Sequence, residues 1–337
     1  MIRFLTIVLI FLVFMSSNSC KDDFQINAKW KDITIVYCLL NSNEADSIHY
    51  VRINRAFINE KNDAFMLAQN PDSTNYKDSL FVRFEIWKNG QHNPANDIIL
   101  KKVANNSKDS GIFANKNQYL WVTEPNTVLD PKAIYKLVIT NTVSGKVIYS
   151  ETPIVGNITS YFPKPGNKIT ITSKTDLEFK WVSGVNAYFY DVVAEIWYSE
   201  FPVDKPEDKV KKMITWPIVL SYFPSKLNEQ VEMTVKISGE AFYNFLKDNI
   251  PVNYEVNREF LRIDFKYSAG GKEIYNYINV NKPSIGIVQK KPEYTNINNG
   301  LGVFSSRNQN IVSARITPTM LLELQANDKT RDLNFIR

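Results

Sequence analysis

A series of short segments with two-residue periodicity, each closed by a polar or glycine-containing turn, constrains this chain more than any other feature. Successive strand side chains point to opposite faces, so apolar–polar alternation marks a sheet with one face buried. Leu80–Trp87 puts Leu80, Val82, Phe84 and Ile86 on one face and is followed by Asn89-Gly90. Asn-Gly suits a type I′ hairpin, whose two central residues both need positive φ. Tyr50–Phe57 alternates in the same way, with Val51, Ile53 and Phe57 inward. Asp32–Leu40 is apolar on both faces and predicts a central strand. Asn41–Ser47 between them predicts a hairpin loop. Tyr119–Thr123, Ile134–Thr140 and Val147–Ser150 continue the series, the last two joined across Ser144-Gly145. Asp63–Asn70 is the one stretch here suited to a short helix. Strands at this spacing predict an antiparallel β-sandwich over residues 30–156.

Tyr161–Gly166 carries two prolines at a composition break and predicts a linker into a second domain, residues 157–290. Strands are expected at Lys168–Thr172, Leu177–Trp181, Tyr188–Tyr198 and Val231–Ile237. Ser238 is placed to cap a helix over Gly239–Asn249, with Phe242, Phe245 and Leu246 on one stripe and Pro251 ending it. Arg258–Tyr267 and Lys272–Val280 are expected to form a hairpin across Ala269-Gly270-Gly271. Glu200–Lys212 reads as a charged loop. Its Asp204, Glu207 and Asp208 lack the alternating spacing and glycine of a calcium loop. Phe179 and Trp181, followed by a small-residue turn and Tyr188-x-Tyr190-x-Val192, resemble the B and C strands of fibronectin type III modules. The resemblance implies that these aromatics pack a core. The expected fold class is therefore mainly β: two immunoglobulin- or fibronectin-like β-sandwich domains, a few short helices and a C-terminal extension.

That extension, residues 291–337, is expected to pack on the second domain. Gly300-x-Gly302-x-Phe304 suits a chain lying close against other backbone and then inserting an aromatic into a core. A phosphate loop would need a following Lys-Ser/Thr and a helix start, and neither is there. Thr317-Pro318 opens a short helix through Leu324, with Thr at the cap and Pro at the first helical position. Thr330–Phe335 is left for a final strand or extended arm.

The front of the chain is an export signal. Arg3 precedes the apolar run Phe4–Phe14, whose 11 residues are too few for a bilayer core that takes about 20. Small polar residues lead to Cys20. The arrangement resembles a bacterial lipoprotein signal, with residues 1–19 removed and Cys20 lipidated; Ser17 stands where leucine is usual, as in the relaxed signals of Bacteroidota. Lys21, Asp22 and Asp23 resemble the surface-export signal of lipoproteins in that phylum. An ordinary cleaved signal with Cys20 incidental is the competing account. Residues 20–29 would be a tether, and the short span Phe24–Lys31 would hold the first sandwich near the lipid. Asp46-Ser47-Ile48 and Asp72-Ser73-Thr74 resemble O-glycosylation acceptors of the same phylum, against the alternative of turn chemistry; Ser79 abuts a strand.

Composition excludes several classes. The 44% hydrophobic and 22% charged fractions belong to a globular chain, and the net charge of +5 is spread along it, so no nucleic-acid surface is expected. With 2 Cys there is no disulfide framework, and Cys38 is expected as a small buried hydrophobe. The 2 His, His49 and His92, lie in no metal spacing and beside no nucleophile elbow, so neither metal, cofactor nor hydrolase triad is expected.

An Asn296-x-x-x-Gly300-Leu301-Gly302-x-Phe304 close, a lipoprotein start and a Trp/Tyr fibronectin-like middle together resemble the uncharacterised surface lipoproteins of Bacteroidota, some encoded beside TonB-dependent transporters. The resemblance implies an outer-membrane, cell-surface location and a surface protein as partner, and no activity. A non-enzymatic role in binding or assembly is the leading expectation, because two sandwiches with no catalytic set in the sequence suit a display scaffold. Two alternatives stand beside it. One is glycan binding through exposed aromatics, among Trp87, Trp121, Trp197 and Trp216, with Trp216 the foremost candidate because it is least embedded in alternation. The other is glycoside processing by a carboxylate pair, which forms in space and not in sequence.

Overall fold

The structure, a computed structural model, describes residues 32–43, 48–56, 74–104, 118–227, 229–283 and 293–336. Cys20, Lys21, Asp22, Asp23, the tether, Ser47, Ser73 and the helix expected at Asp63–Asn70 lie outside those residues.

The first sandwich is built from β1 (Thr34–Asn41), β2 (Tyr50–Arg55), β3 (Leu80–Lys88), β4 (Gln91–His92), β5 (Ile98–Ile99), β6 (Lys101–Ala104), β7 (Tyr119–Val122), β8 (Ile134–Asn141) and β9 (Val147–Pro153). One sheet runs β1-β2-β7-β6; the other runs β4-β3-β8-β9, with β5 on β3. Alternation decides which side chains enter: Val36, Cys38, Leu40, Val51 and Ile53 from one sheet meet Val82, Phe84, Leu137 and Ile139 from the other. The expected hairpin follows Trp87, with Asn89 and Gly90 at φ 52° and 75°. Burial pushes the Cys38 thiol far up, as befits a thiol acting only as a hydrophobe.

The second sandwich contains β10 (Thr159–Phe162), β11 (Lys168–Ile169), β12 (Asp176–Val182), β13 (Phe189–Pro202), β14 (Val210–Tyr222), β15 (Glu232–Ser238), α1 (Gly239–Asn249), β16 (Val256–Gly270), α2 (Lys272–Asn281), β17 (Gly300–Ile316), α3 (Pro318–Ala326) and β18 (Phe335–Ile336). A three-stranded sheet, β10-β12-β15, faces the order β14-β13-β16-β17. That is the strand arrangement of immunoglobulin-like sandwiches. Trp181 is fully buried between the sheets, its ring 5.8 Å from Tyr190 and 5.5 Å from Tyr267, as the fibronectin-like pattern implied. Ser238 accepts a hydrogen bond from Glu240 N and caps α1, and Thr317 accepts one from Met320 N and caps α3.

Three expectations are corrected. Lys272–Val280 is helical, not the second arm of a hairpin, because both edges of β16 are already taken by β13 and β17. The charged loop shrinks to residues 203–209, since β13 runs through Pro202 and β14 starts at Val210. The C-terminal extension does not pack on the second domain alone. Residues Gly300–Arg307 of β17 pair in parallel with β1, and residues Arg307–Ala314 pair antiparallel with β16. A single 17-residue strand therefore belongs to both sandwiches and fuses their sheets into one of ten strands.

The sequence of β17 explains how. Gly302 sits at φ 116°, and a Cβ there would lie 1.9 Å from the Val36 carbonyl oxygen, so the parallel pairing with β1 requires glycine. Two residues later Phe304 stacks on Phe84 in the first core, ring centroids 5.8 Å apart. Farther on, Val312 and Ala314 enter the second core. Between them Ser306, Asn308 and Asn310 fasten the inter-domain connection. Ser306 Oγ donates to Pro153 O at 2.7 Å, Asn308 Nδ2 to Asn157 Oδ1 at 3.1 Å, and Asn310 Nδ2 to Ile158 O at 2.7 Å. Asn157, Asn308 and Asn310 line a groove of about 490 Å³ at the seam together with Asn43, which donates to Gln309 O at 3.0 Å, and Gln309, which donates to Ser268 Oγ at 3.0 Å, so its amides are engaged in holding the fold.

Candidate binding groove

The outward side of β13, β14, β16 and β17 is set by the same alternation that fills the core. With Ile263, Phe265 and Tyr267 buried, Arg262, Asp264 and Lys266 must face out. The β13–β16 register shifts between Trp197/Arg262 and Tyr198/Phe260, so Leu261 is an extra residue that bends β16. The β16–β17 pairing ends at Ile263 and Ala314. Beyond that point β16 takes β18 as its neighbour and β17 takes β11. The two strands part, and an open groove of about 850 Å³ lies at the divergence.

Lys168, Lys211, Glu259, Arg262, Ser313 and Arg315 are among its lining residues. The charges do not cancel. Glu259 is engaged by Lys209 at 2.6 Å. Asp264 is buried and accepts from Arg262 Nε on both oxygens, at 3.0 and 2.9 Å, and from Ser313 Oγ at 2.6 Å. Lys168, Lys211 and Arg315 are exposed and have no carboxylate partner among the described residues. The Arg262 guanidinium also lies over the Trp197 ring, 4.8 Å from its centroid. Two contacts thus fix Arg262 and leave its terminal nitrogens without a protein partner among the described residues. Beneath it the buried Trp197 indole N–H has no hydrogen-bond acceptor among the described residues.

The tryptophans divide by environment. Trp216, expected to be exposed, is buried at 6% and is corrected here: α1 lies over it, with Phe242 at 5.5 Å and Phe245 at 6.0 Å. Its apparent freedom from alternation comes from the irregular β13–β14 register around Val192 and Val193. Trp121 is buried in the first core. Trp87 stacks on His92, whose ring nitrogen contacts Asp97 at 2.7 Å. Among the described tryptophans, Trp197 is the one that lies beneath a groove-lining cation, Arg262.

His49 is buried with Nε2 2.9 Å from Thr127 O. No group of three or more metal-ligating side chains occurs among the described residues, and Asp204, Glu207 and Asp208 are exposed loop residues. Glu195 and Asp264 stand directly opposite each other on β13 and β16, a facing carboxylate pair that sequence could not reveal. Each is engaged: Glu195 by Lys266, and Asp264 by Arg262 and Ser313.

A second surface lies on the first sandwich. Outward side chains of β1, β2 and β17 include Tyr37 (41% exposed), Leu39 (37%), Tyr50 (51%) and Leu301 (39%). α2 borders it, with Tyr277 edge-on to Tyr37 at 6.0 Å and Ile274 N donating to Ser305 Oγ.

No family model and no curated protein matches the chain. Among solved structures, the C-terminal globular domain of an oligosaccharyltransferase from Pyrococcus abyssi aligns at 8% identity over 85% of this chain and 50% of that one, with a TM-score of 0.21. Escherichia coli alpha-2-macroglobulin activated by porcine elastase aligns at 7% identity over 84% of this chain and 20% of that one, with a TM-score of 0.17. The chain thus spans half and one fifth of those two lengths, and at such scores neither likeness bears on function.

Proposed function

We propose that this chain is a lipid-anchored component of a bacterial outer-membrane surface that binds or assembles with another surface protein, as in the Bacteroidota lipoproteins it resembles. One observation carries the proposal: the group of large apolar side chains left exposed on the outward face of β1, β2 and β17. A polar surface would serve solubility better, and apolar groups gathered on one face favour a protein partner. The chain order adds a geometric reason. Eleven residues lie between Cys20 and Asp32. Even fully extended, that span cannot exceed roughly 45 Å. A lipid on Cys20 would keep the apolar face within reach of a membrane-embedded partner, such as a TonB-dependent transporter.

The test is affinity capture of the tagged full chain from native outer membranes. A transporter or another surface protein should be recovered, and Leu39→Lys should lose it without lowering the melting temperature by more than a few degrees. Recovery of the same proteins by both, or of none by the wild type, would count against the proposal. Cys20→Ala should leave the membrane fraction; if it stays, the anchor is not at Cys20.

A further inference from the structure

Independently of any protein partner, the geometry points to a binding site for an acidic polysaccharide in the groove where β16 and β17 part. Lys168, Arg315, Arg262 and Lys211 stand on β11, β17, β16 and β14, and all line it. β11 and β17 are paired neighbours on one wall, while Arg262 and Lys211 stand across the divergence on β16 and β14, with β13 between those two strands, so the four cations are spread across the width of the groove instead of meeting at one point. The groove is open to solvent, which suits a chain lying across it better than a small molecule enclosed by it. Three of the four cations lack a carboxylate partner among the described residues, and the neighbouring acids, Glu259 and Asp264, are already paired. The site therefore presents uncompensated positive charge.

Arg262 is the best-ordered of the four. Asp264 holds its Nε on two oxygens and Trp197 supports its plane, so its terminal nitrogens are set for a planar or tetrahedral anion before any ligand arrives. Trp197 and Asp264 are positioning residues in this account. The Trp197 ring lies under the guanidinium, 4.8 Å from its centroid, and that contact is what ties it to Arg262. Ser313 and Asn167 on the groove wall are suited to sugar hydroxyls. A nucleic acid would want open aromatic faces for stacking, and the ring at this site is covered by Arg262.

The experiment uses the full chain in detergent, with polygalacturonate and heparin as carboxylated and sulfated probes and dextran as the neutral one. Binding to at least one acidic polymer is expected. It should weaken as salt rises, because exposed charges are screened. Binding to polygalacturonate alone assigns the site to carboxylates, and to heparin alone it assigns it to sulfates. The combined Lys168→Gln, Lys211→Gln, Arg315→Gln variant should lose affinity on the order of tenfold or more while melting as the wild type does, since the three side chains are exposed and hold no ion pair among the described residues. Lys174→Gln with Lys226→Gln, away from the groove, should bind as the wild type. Arg262→Lys should retain part of the affinity and Trp197→Phe should weaken binding less than the triple variant. The inference is overturned if dextran binds as well as the acidic polymers, if none of the three binds, or if the triple variant binds undiminished.

Discussion

The ten-stranded sheet crosses both sandwiches, yet its outward side changes character on the way. Over the first sandwich it presents Tyr37, Leu39, Tyr50 and Leu301; over the second it presents chiefly charge, with Glu195, Arg262, Lys266, Lys211 and Arg315 set around the exposed Met213 and Ile311. The inward side is apolar in both halves, filled by the same alternation and interrupted by polar side chains at the seam, Ser306 and Asn308. A period of two decides which residues are buried, and packing then constrains those. It leaves the outward residues free to differ, so the difference between the two faces is where function is to be sought. A protein partner suits the first face and an anionic chain the second.

The comparison is broken most severely at the strand the two halves share. Gly302→Val forces a Cβ into the Val36 carbonyl and a branched residue into positive φ. Overpacking and backbone strain together should cost roughly 3–5 kcal/mol. Trp181→Ala, in the second core alone, should cost a similar 3–5 kcal/mol by leaving a cavity. Urea unfolding followed by tryptophan fluorescence and by far-ultraviolet circular dichroism distinguishes two architectures. If β17 makes the halves one cooperative unit, each substitution lowers a single common midpoint. If Trp181→Ala lowers one transition and leaves a second in place, the sandwiches unfold separately and the shared strand is only a contact.

How much of this could be read along the chain depends on whether the determinant is local. Gly300-x-Gly302-x-Phe304 announced a close backbone approach and an inserted ring, because glycine and phenylalanine carry that information themselves. The partner, β1, was not legible, since Val36 and Gly302 are paired by a register with no trace between them. Lys272–Asn281 satisfies a two-residue and a helical period alike; occupation of both β16 edges decides it, and that is a fact about other strands. The groove was invisible for the same reason. Lys168, Lys211, Arg262 and Arg315 are scattered in sequence and read as solvated surface, and only strand order brings them together.

Each sandwich also carries a buried ion pair that should respond to acid. In the second, Arg258 is fully buried and donates to Glu200 at 2.9 Å, to Leu333 O at 2.7 Å and to Pro251 O at 2.9 Å. Burial of Glu200 acts to raise its carboxyl, but hydrogen bonds from Lys212 and Arg258 outweigh it and hold the group below its usual 4.5. In the first, burial of Glu85 is likewise outweighed, by Arg83 and Trp87. A depressed carboxyl pKa contributes stability that is present above the unfolded value and lost as pH falls through the folded one. The urea midpoint should therefore hold from pH 7 down to about 5 and fall below about 4.5. Glu200→Gln and Glu85→Gln should each flatten part of that fall. Arg258→Met leaves Glu200 with Lys212 alone and two carbonyls without a donor, and should cost about 3–5 kcal/mol at pH 7. A midpoint unchanged between pH 5 and 3 in the wild type would remove both pairs from the stability account.

The smallest expected effect is the one that most sharpens the contrast between the faces. Glu195 and Lys266 form a cross-strand pair on the outward side of the second sandwich, with side chains 17% and 26% exposed. Partly exposed pairs of this kind are typically worth less than about 1 kcal/mol, since desolvation and side-chain ordering offset the attraction. A double-mutant cycle with Glu195→Gln and Lys266→Gln, read by urea unfolding, should give a coupling in that range. Charges so weakly coupled to folding would not be needed to hold the sheet together, which leaves the charged face open to selection by a ligand. A coupling above about 2 kcal/mol would reverse the inference: the ion pairs would then be structural devices of the long sheet. The difference between its two outward sides would reflect how each half is stabilised and not what each half binds.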